Sequence, residues 1–547
     1  MKFPFPAWAQ QLNISLGDIS GNVATAVGAD DAIYFAVATL AICPIPATPS
    51  LPGQPPSEGV PALPGAALVT AGLYTPPSGA FPPLTPTLID SLTNPCRNTT
   101  YNIAVGKITA DGTPRWILVS PAMVTTTNDI TPSIIAGPSG QVYVAYGTQG
   151  STYNNLNMAY VPNFCNRCLQ PGLADIVLAR IDEVEGQPSV TWVKQNAQTN
   201  SCNDELVPQL AIDANNQLLY MAWQTSYAVQ CFTAIGQPNI VLSCFNLNGT
   251  QFWTEAGANL NSTGQNTNPA IATDTQGGVY VAFETTGQVQ GGAVPSTKQI
   301  EVVRYQTVVS SPGVSTGYYR SWVYSGTGSP SLFATNTSQT PSLAFSSTGV
   351  LAVAFTTSGT VSGGTRTAST NDLVVAGIKP NGTQSWIQQG TVFRHGGILY
   401  TNCFTPSISS DAYGNLYCGL RTQTIPAPTL IVFKLSPFDG TPTWNYTKTD
   451  LTTYNAYPFA QTDGPNAALP SGLYKTKVVV SVCTNAIYMS TVVPVTATAT
   501  RPSPYLNNLF VAQIGIGNYA QGQTAYEYMI DFVPTVIGQA PPSLLRR

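Results

Sequence analysis

Charged side chains are scarce in this protein. Its 547 residues include 21 Lys+Arg and 25 Asp+Glu, or 8%, whereas an ordinary soluble domain carries about 25% charged residues. Hydrophobic residues (43%) and aromatic residues (10%) are nevertheless plentiful. The composition is therefore not that of a disordered chain, which combines high charge with few aromatics. The surface of the fold must be built mainly from Ser, Thr, Asn and Gln.

Histidine, basic clusters and long apolar runs are missing as well. The single histidine, His395, excludes His-based zinc sites and argues against a Ser-His-Asp triad. The net charge is −4 and no basic cluster is present, so the chain lacks the positive charge that binds nucleic-acid phosphates. The longest apolar run, 33–43, is about half the length that spans a bilayer. The N-terminal segment MKFPFPAWAQQLN lacks the apolar core of a secretory signal. We therefore expect no nucleic-acid partner, no membrane insertion and no signal peptide.

An internal repeat is the main positive signal. Its unit contains a Pro, an alternating apolar stretch, a Gly-containing turn and a Tyr-rich strand. The clearest copies are TPSIIAGPSGQVYVAY from Thr131, NPAIATDTQGGVYVAF from Asn268 and TPSISSDAYGNLYCGL from Thr405. Aligned on the Tyr position, the copies fall at Tyr34, Tyr143, Tyr220, Tyr280, Ala352, Tyr417 and Tyr488. Self-similarity at repeated intervals along the chain, as between these aligned positions, is typical of propellers and solenoids.

A second unit lies between the Tyr copies. It is an apolar strand, a short Gly turn and a tryptophan, as in IVLSCFNLNGTQFW. The tryptophans assigned to this structural position are Trp8, Trp116, Trp192, Trp253, Trp322, Trp386 and Trp444. Each repeat then reads as four short strands with period-2 alternation. This pattern predicts an all-β fold, a seven-bladed β-propeller with four-stranded antiparallel blades.

The two chain ends suggest how the ring closes. The first unit opens with a Trp strand, 5–14, and the last unit ends with an apolar strand, 507–516, that has no Trp strand after it. We therefore predict that the N-terminal strand completes the last blade and removes its exposed edge. The whole chain, 1–547, is interpreted as one propeller with a Pro-rich insertion at 43–101 and a C-terminal tail at 518–547.

Long connections fall on one face of the predicted propeller, and binding residues usually lie on such loops. The insertion at 43–101 is either an arm that wraps a neighbour or a surface loop. Loop tyrosines are the predicted interaction residues, because Tyr is enriched at interfaces; they are Tyr101, Tyr153, Tyr160 and Tyr454.

Cysteine chemistry is left open between four interpretations. The CxxC formed by Cys165 and Cys168 could bind metal, act as a redox pair, form disulfides or remain as free thiols. Disulfides are preferred. Cys43 and Cys96 bracket the insertion, so a bridge between them would close its neck. The candidates on the long-loop face are Cys43, Cys96, Cys165, Cys168, Cys202 and Cys231. We predict no metal site and no cofactor.

Two further features have structural interpretations. Asp213, Asp274 and Asp411 share one repeat position before a turn, where Asp bonds the backbone of the turn. His395 lies in a loop beside Arg394, with no nucleophile motif accompanying it.

The repeat resembles known propeller families. The Tyr unit together with the Gly-turn-Trp unit looks like the SBBP-type repeat and is similar to the PQQ-type blade. It also resembles uncharacterised propeller proteins of large double-stranded DNA viruses. The resemblance implies the fold and little about function. The metal-binding carboxylates and stacking Trp that PQQ enzymes need do not map onto this sequence.

From these features we expect a structural protein rather than an enzyme. The sequence predicts a non-catalytic assembly component of a coat, virion or surface fibre, located on a virion or extracellular surface. Its partners would be copies of itself or other coat proteins. The alternative is a module that recognises glycan or protein through the long-loop face. A propeller hydrolase or lyase was the third possibility, but the sequence shows no convergent carboxylates for it.

Overall fold

The structure is a computed structural model. It describes residues 19–39, 101–110, 114–120, 122–125, 127–150, 174–195, 199–200, 204–226, 238–290, 295–324, 332–367, 371–395, 398–399, 403–422, 429–448, 477–481, 486–494, 507–516 and 529–530. Within these ranges it contains four-stranded antiparallel sheets that follow one another along the chain. Each sheet is one blade, and its strands are hydrogen-bonded in chain order.

Six blades have four strands of at least five residues each. Blade 1 contains β1 (Ile19–Val27), β2 (Ile33–Thr39), β3 (Asn102–Ile108) and β4 (Pro114–Leu118). Blade 2 contains β5 (Asp129–Ala136), β6 (Val142–Thr148), β7 (Asp175–Val184) and β8 (Gln187–Lys194). Blade 3 contains β9 (Glu205–Asp213), β10 (Leu218–Thr225), β11 (Asn239–Asn246) and β12 (Gln251–Glu255).

The second half of the chain repeats the arrangement. Blade 4 contains β13 (Asn266–Thr273), β14 (Gly278–Thr285), β15 (Gln299–Ser311) and β16 (Val314–Tyr324). Blade 5 contains β17 (Ser338–Phe345), β18 (Leu351–Thr357), β19 (Asp372–Ile378) and β20 (Gln384–Gln389). A 3-10 turn (Gly390–Val392) and a small hairpin, β21 (Arg394–His395) with β22 (Ile398–Leu399), lead to blade 6. Blade 6 contains β23 (Cys403–Ser410), β24 (Leu416–Thr422), β25 (Thr429–Leu435) and β26 (Pro442–Lys448).

The last sheet is reduced. It contains β27 (Lys477–Val480), β28 (Ala486–Pro494), β29 (Asn507–Ile516) and β30 (Met529–Ile530). Within the described residues, its first strand contains four residues and its outer strand two. The prediction of an all-β propeller with four-stranded antiparallel blades is confirmed. Within the described ranges the chain nevertheless forms six full blades and one reduced sheet, not seven equal blades.

The predicted closure by an N-terminal strand is wrong. Residues 5–14, including Trp8, lie outside the described residues, and the strand beside β29 is β30, from the C-terminal tail. A strand edge offers one row of N–H and C=O groups, so an edge position that β30 pairs is no longer free for another strand. The first and last sheets instead meet face to face through side chains. The Ser481 hydroxyl donates a hydrogen bond to Asp31, and the Thr25 and Ser490 hydroxyls are bonded to each other.

The first strands of the blades are innermost. Each packs against the first strand of the next blade, from β1 through β5, β9, β13, β17 and β23 to β27, and β27 packs against β1. These strands therefore surround a central channel, as in other propellers. Connections between second and third strands, and between blades, lie at one end, which we call the long-loop face. The remaining turns form the short-turn face.

The core lies between neighbouring blades because the middle strands are buried on both faces. All seven residues of β2, β3, β6, β18 and β19 are buried. Their continuous apolar runs, such as LAVAF in β18, suit strands without a solvated face. The repeat Tyr lies in this layer beside the blade Trp, with ring centroids 5.9–6.1 Å apart in blades 1 to 4.

Candidate functional site

A strained backbone position recurs on five inner strands near the long-loop face. The residue before each repeat proline has a positive φ, between 42° and 57°, and the five residues are Thr131, Val207, Asn268, Thr340 and Thr405. Positive φ is uncommon outside glycine and costs about 1–3 kcal/mol for each residue. A β-bulge accompanies it in every case. We call these five residues the bulge ring.

The proline makes each bulge compatible with an inner edge. Proline has no N–H, so it is tolerated where a strand has no partner on one side. The residue that follows ties the bulge to the next blade in three cases. Ser133 accepts a hydrogen bond from the Leu210 N–H at 3.2 Å, Ser342 accepts one from the Ile408 N–H at 3.1 Å, and Ser407 accepts one from the Val478 N–H at 3.1 Å.

Beside each bulge lies the next-to-last residue of the second strand. Pairing places it opposite the residue that precedes the bulge residue, as for Gln339 and Thr356. In blade 2 this position is Gly147, but in the next four blades it is polar. These four residues, which we call the wall residues, are Gln224, Glu284, Thr356 and Arg421. Three of the wall residues, Glu284, Thr356 and Arg421, are buried, and Gln224 is half-buried.

Glu284 connects two bulges. One carboxylate oxygen accepts a hydrogen bond from the Asn268 amide at 2.9 Å and from the Thr340 N–H at 2.8 Å. The other oxygen pairs with the Lys298 ammonium at 2.7 Å, and the Thr267 hydroxyl lies 3.3 Å from it. The side chain is 1% exposed, and such a carboxylate is stable only because donors surround it. Glu284 therefore fixes the shape of the channel wall between blades 4 and 5.

A buried threonine lies one residue after each wall position. It pairs with the first residue of the inner strand and with the first residue of the third strand. In blade 4, Thr285 bonds Ser262 and Asn266, and its hydroxyl also accepts the Gly287 N–H. The equivalent residues are Thr39, Thr148, Thr225, Thr357 and Thr422. These hydroxyls anchor the start of the loops on the long-loop face. Sequence reasoning missed them, although each follows the repeat Tyr position by five residues.

Two carboxyl groups at this end are buried and a third, that of Asp175, is half-buried, and desolvation raises the pKa values of all three. The pKa of Asp129 rises to about 7, opposed by bonds from Thr148 and Thr125. The pKa of Asp175 rises to about 6, opposed by a bond from Gln195. The pKa of Glu301 rises to about 8. Burial disfavours the ionised form in each case.

Six of the seven predicted tryptophans lie on fourth strands. Trp322 donates its indole N–H to the Pro380 carbonyl of the next blade at 2.8 Å, and Trp386 donates to Pro437 at 2.9 Å. These bonds join neighbouring blades. The Asp positions act as turn formers, as expected: Asp274 accepts the N–H groups of Gln276 and Gly278. It also accepts the Tyr280 hydroxyl at 2.9 Å.

Most predicted loop residues cannot be placed. The six disulfide candidates Cys43, Cys96, Cys165, Cys168, Cys202 and Cys231, with Tyr153, Tyr160 and Tyr454, lie outside the described residues, as does most of the 43–101 insertion. Tyr101 is described, and it packs half-buried against the core of blades 1 and 2. His395 pairs with Ile398 in the small hairpin before blade 6. The bulge ring and the wall residues, not these loop residues, define the site that can be described.

Within the described ranges, no cluster of His, Cys, Asp and Glu could hold a metal ion. In the same part of the chain, no helix has the length and apolar character needed to cross a membrane.

Comparison with known proteins gives a fold-level result. No protein-family model matches the chain, and no curated protein matches it. Among solved structures, a Hadza microbial sialidase is similar at 10% identity, with 72% of this chain and 70% of that chain covered and a TM-score of 0.32. The parainfluenza virus 5 hemagglutinin-neuraminidase ectodomain is similar at 8% identity, with coverages of 71% and 82% and a TM-score of 0.36. The α-L-arabinofuranosidase of Fusarium graminearum is similar at 8% identity, with coverages of 70% and 93% and a TM-score of 0.39.

These findings correct the functional expectation from sequence. The similar structures are mostly those of glycoside hydrolases, so the prediction of a non-catalytic coat, virion or surface-fibre component, and of a protein that is not an enzyme, is withdrawn. TM-scores this low transfer no residue and no reaction to this chain. The resemblance to SBBP-type and PQQ-type repeats is confirmed only as a propeller fold, and the viral resemblance is not shown.

Proposed function

We propose that the protein recognises a glycan at the long-loop end of its channel. The observation that carries this proposal is the bulge ring with its polar wall residues. Five strained backbone positions recur at one level of the ring, and backbone strain is concentrated at functional sites in proteins. The two features occupy the same end of the channel, on the face with the long connections.

The chemistry of the wall suits a neutral polar ligand. Glu284, Thr356 and Arg421 are buried and support the wall, whereas the half-buried Gln224 carries both an uncharged donor and an uncharged acceptor. Sugar hydroxyls are donors and acceptors at once, so they match such a mixed set.

A glycan array with single-site variants tests the proposal. Gln224→Leu removes the half-buried amide of the wall, and Thr356→Val removes a buried hydroxyl that lies 3.2 Å from the Thr340 hydroxyl of the bulge ring; both changes nearly conserve volume. Each lost bond is worth about 0.5–1.5 kcal/mol, so we expect affinity for the array hits to fall about 2- to 10-fold per variant. Glu185→Gln, an exposed change on a short-turn loop of blade 2, is the matched control and should bind as wild type does.

The array separates the outcomes. Binding by wild type and the control, with loss in the two wall variants, supports the proposal. No glycan binding by wild type, or equal binding by all four proteins, contradicts it. Incubating each hit with the protein and looking for released sugar shows whether recognition is accompanied by hydrolysis.

A further inference from the structure

One buried carboxyl breaks the repeat. The third residue of the third strand is apolar in blades 1, 2, 3, 5 and 6, where it is Ala104, Val177, Val241, Val374 and Ile431. In blade 4 the same position is Glu301, which pairs with Phe283 on β14. Glu301 is fully buried. A carboxyl thus occupies a place that the rest of the fold fills with hydrocarbon.

The surroundings of Glu301 are apolar. Residues directly opposite on paired strands share a face of the sheet, so Glu301 lies on the same face as Phe283. That face packs against blade 3 in a cluster that also contains Leu260, Val289 and Val303. Neither carboxyl oxygen of Glu301 has a hydrogen-bond partner among the described residues. The Val289 N–H lowers the pKa of the carboxyl, but it does not make a hydrogen bond of normal geometry.

The other titratable groups at this interface do not compensate a charge on Glu301. Tyr220 and Cys244 of blade 3 and Tyr305 on the same strand have pKa values raised by burial, so they are neutral at physiological pH. Glu255, at the end of β12, accepts the Gly257 N–H, and Arg320 on β16 donates to the Asn259 carbonyl at 2.9 Å; neither side chain is hydrogen-bonded to Glu301. The ion pair of Glu284 and Lys298 involves the residue next to Phe283 on β14, which points to the opposite face.

The loop above Glu301 connects it to the long-loop face. Val289 forms an isolated bridge with Ser262. The Thr286 N–H donates to the Gln265 carbonyl at 3.1 Å, and the Gln265 N–H donates to the Thr286 hydroxyl at 2.9 Å. The chain from Gln265 then enters β13, which carries Asn268 of the bulge ring. Glu301 therefore lies beneath two connections at the channel end described above.

We propose that Glu301 is a proton-dependent lock on these connections: the protonated carboxyl lets residues 286–289 close over the interface of blades 3 and 4, and loss of the proton favours their opening. An ionised carboxylate in an apolar cluster is costly unless water or donors reach it. Opening of the loop supplies water. The inference stands on the position and packing of Glu301 and does not rest on glycan recognition.

Hydrogen exchange as a function of pH tests the lock. If opening exposes the carboxyl to water, linkage predicts that the protection factors of residues 286–289 fall about tenfold per pH unit until the pH reaches about 8, then level off. Glu301→Val introduces the residue found in blades 2, 3 and 5 and should remove this dependence. In the wild-type protein, the protection factors of β18, a strand away from Glu301, should not show this dependence on pH.

Two further variants keep the test decisive. Glu301→Gln cannot ionise and replaces Glu301→Val if the latter fails to fold; it should also show no slope. Glu185→Gln, at an exposed acid, should retain the wild-type slope. The proposal is overturned if protection of residues 286–289 in wild type is independent of pH between 6 and 8, or if the slope persists in the Glu301 variants.

Discussion

At the scale of residues, short hydroxyl and amide side chains form the buried hydrogen bonds that charged groups form in many other proteins. Ser338 bonds both Gln299 and Thr357, and Gln299 also donates to the Ala334 and Asn336 carbonyls. Such groups can be buried at low cost when every donor finds an acceptor. The 8% charge content therefore matches an interior joined by neutral hydrogen bonds, not only a neutral surface.

The glycine in the turn beside each blade Trp gives a residue-scale prediction. Gly440 has a φ of +71°, and a Cβ there would lie 2.4 Å from the Trp386 ring, whereas Gly349 has a φ of +78° with open space around it. Both Gly→Ala changes place a residue with a Cβ in a left-handed backbone conformation, which costs about 1–2 kcal/mol. Gly440→Ala must also displace Trp386, so its free energy of unfolding should fall further. Chemical denaturation measures the difference, and equal losses in the two variants would contradict the packing described.

Residue roles set by local chemistry were predictable from sequence. Asp274 and Asp411 stabilise their turns through side-chain hydrogen bonds to N–H groups a few residues further along the chain. Bonds of this short range can be predicted from the local sequence. The role of Glu284 was not predictable, because its donors come from four separate positions and two blades. Glu301 was hidden for the same reason, since burial of a carboxyl depends on contacts between blades.

At the scale of elements, the inner strands combine a bulge, a proline and a positive φ. This combination bends the strand at the channel while the Ser after the proline bonds the next blade. The repeated Pro was recognised in the sequence, but the bulge was not. A residue before proline usually adopts an extended conformation, so sequence alone favours the wrong backbone state at these five positions.

Substitutions at Thr131 test the strain directly. The Thr131 hydroxyl has no hydrogen-bond partner among the described residues, and φ is +51°. Thr131→Gly and Thr131→Ala both remove the side-chain contacts, but only glycine tolerates positive φ without cost. We therefore expect the Gly variant to be more stable than the Ala variant by about 1 kcal/mol. In an ordinary strand the order is reversed, so an Ala variant at least as stable as the Gly variant would contradict the strained geometry.

The four-stranded antiparallel blades could be predicted from the sequence repeat, whereas the number of full blades and the pairing near the chain ends could not. Middle strands such as β18 have continuous apolar runs that local pattern identifies. The pairing of β30 with β29 involves only two described residues of β30, and so short a strand has no pattern to detect. The small hairpin of β21 and β22 was missed for the same reason.

At the scale of the whole molecule, buried acids should make stability depend on pH. Asp129, Asp175 and Glu301 have folded-state pKa values raised to about 7, 6 and 8. Below the unfolded-state values near 4, both states are protonated and the contribution to stability is fully present. As pH rises, the unfolded chain loses these protons first, so stability falls until pH passes the folded pKa values.

Thermal unfolding at several pH values checks this dependence. The midpoint should be lower at pH 8 than at pH 5, and Glu301→Gln should reduce the difference because it removes one of the three groups. A midpoint that rises between pH 5 and pH 8 would contradict the burial of these carboxyls. Glu185→Gln, which changes an exposed acid, should leave the profile as in wild type.

Propeller geometry directs the inner strands of all the sheets to one channel, so the most direct test of the account is where a glycan binds. Hydrogen exchange, measured with and without the glycan that binds most tightly on the array, locates the binding site. The account predicts increased protection at the long-loop ends of the inner strands, around Thr131, Val207, Asn268 and Thr340, with no change in the short turns at Gly249 and Gly382. Protection confined to the short-turn face, or none at a saturating concentration of the glycan, would contradict it.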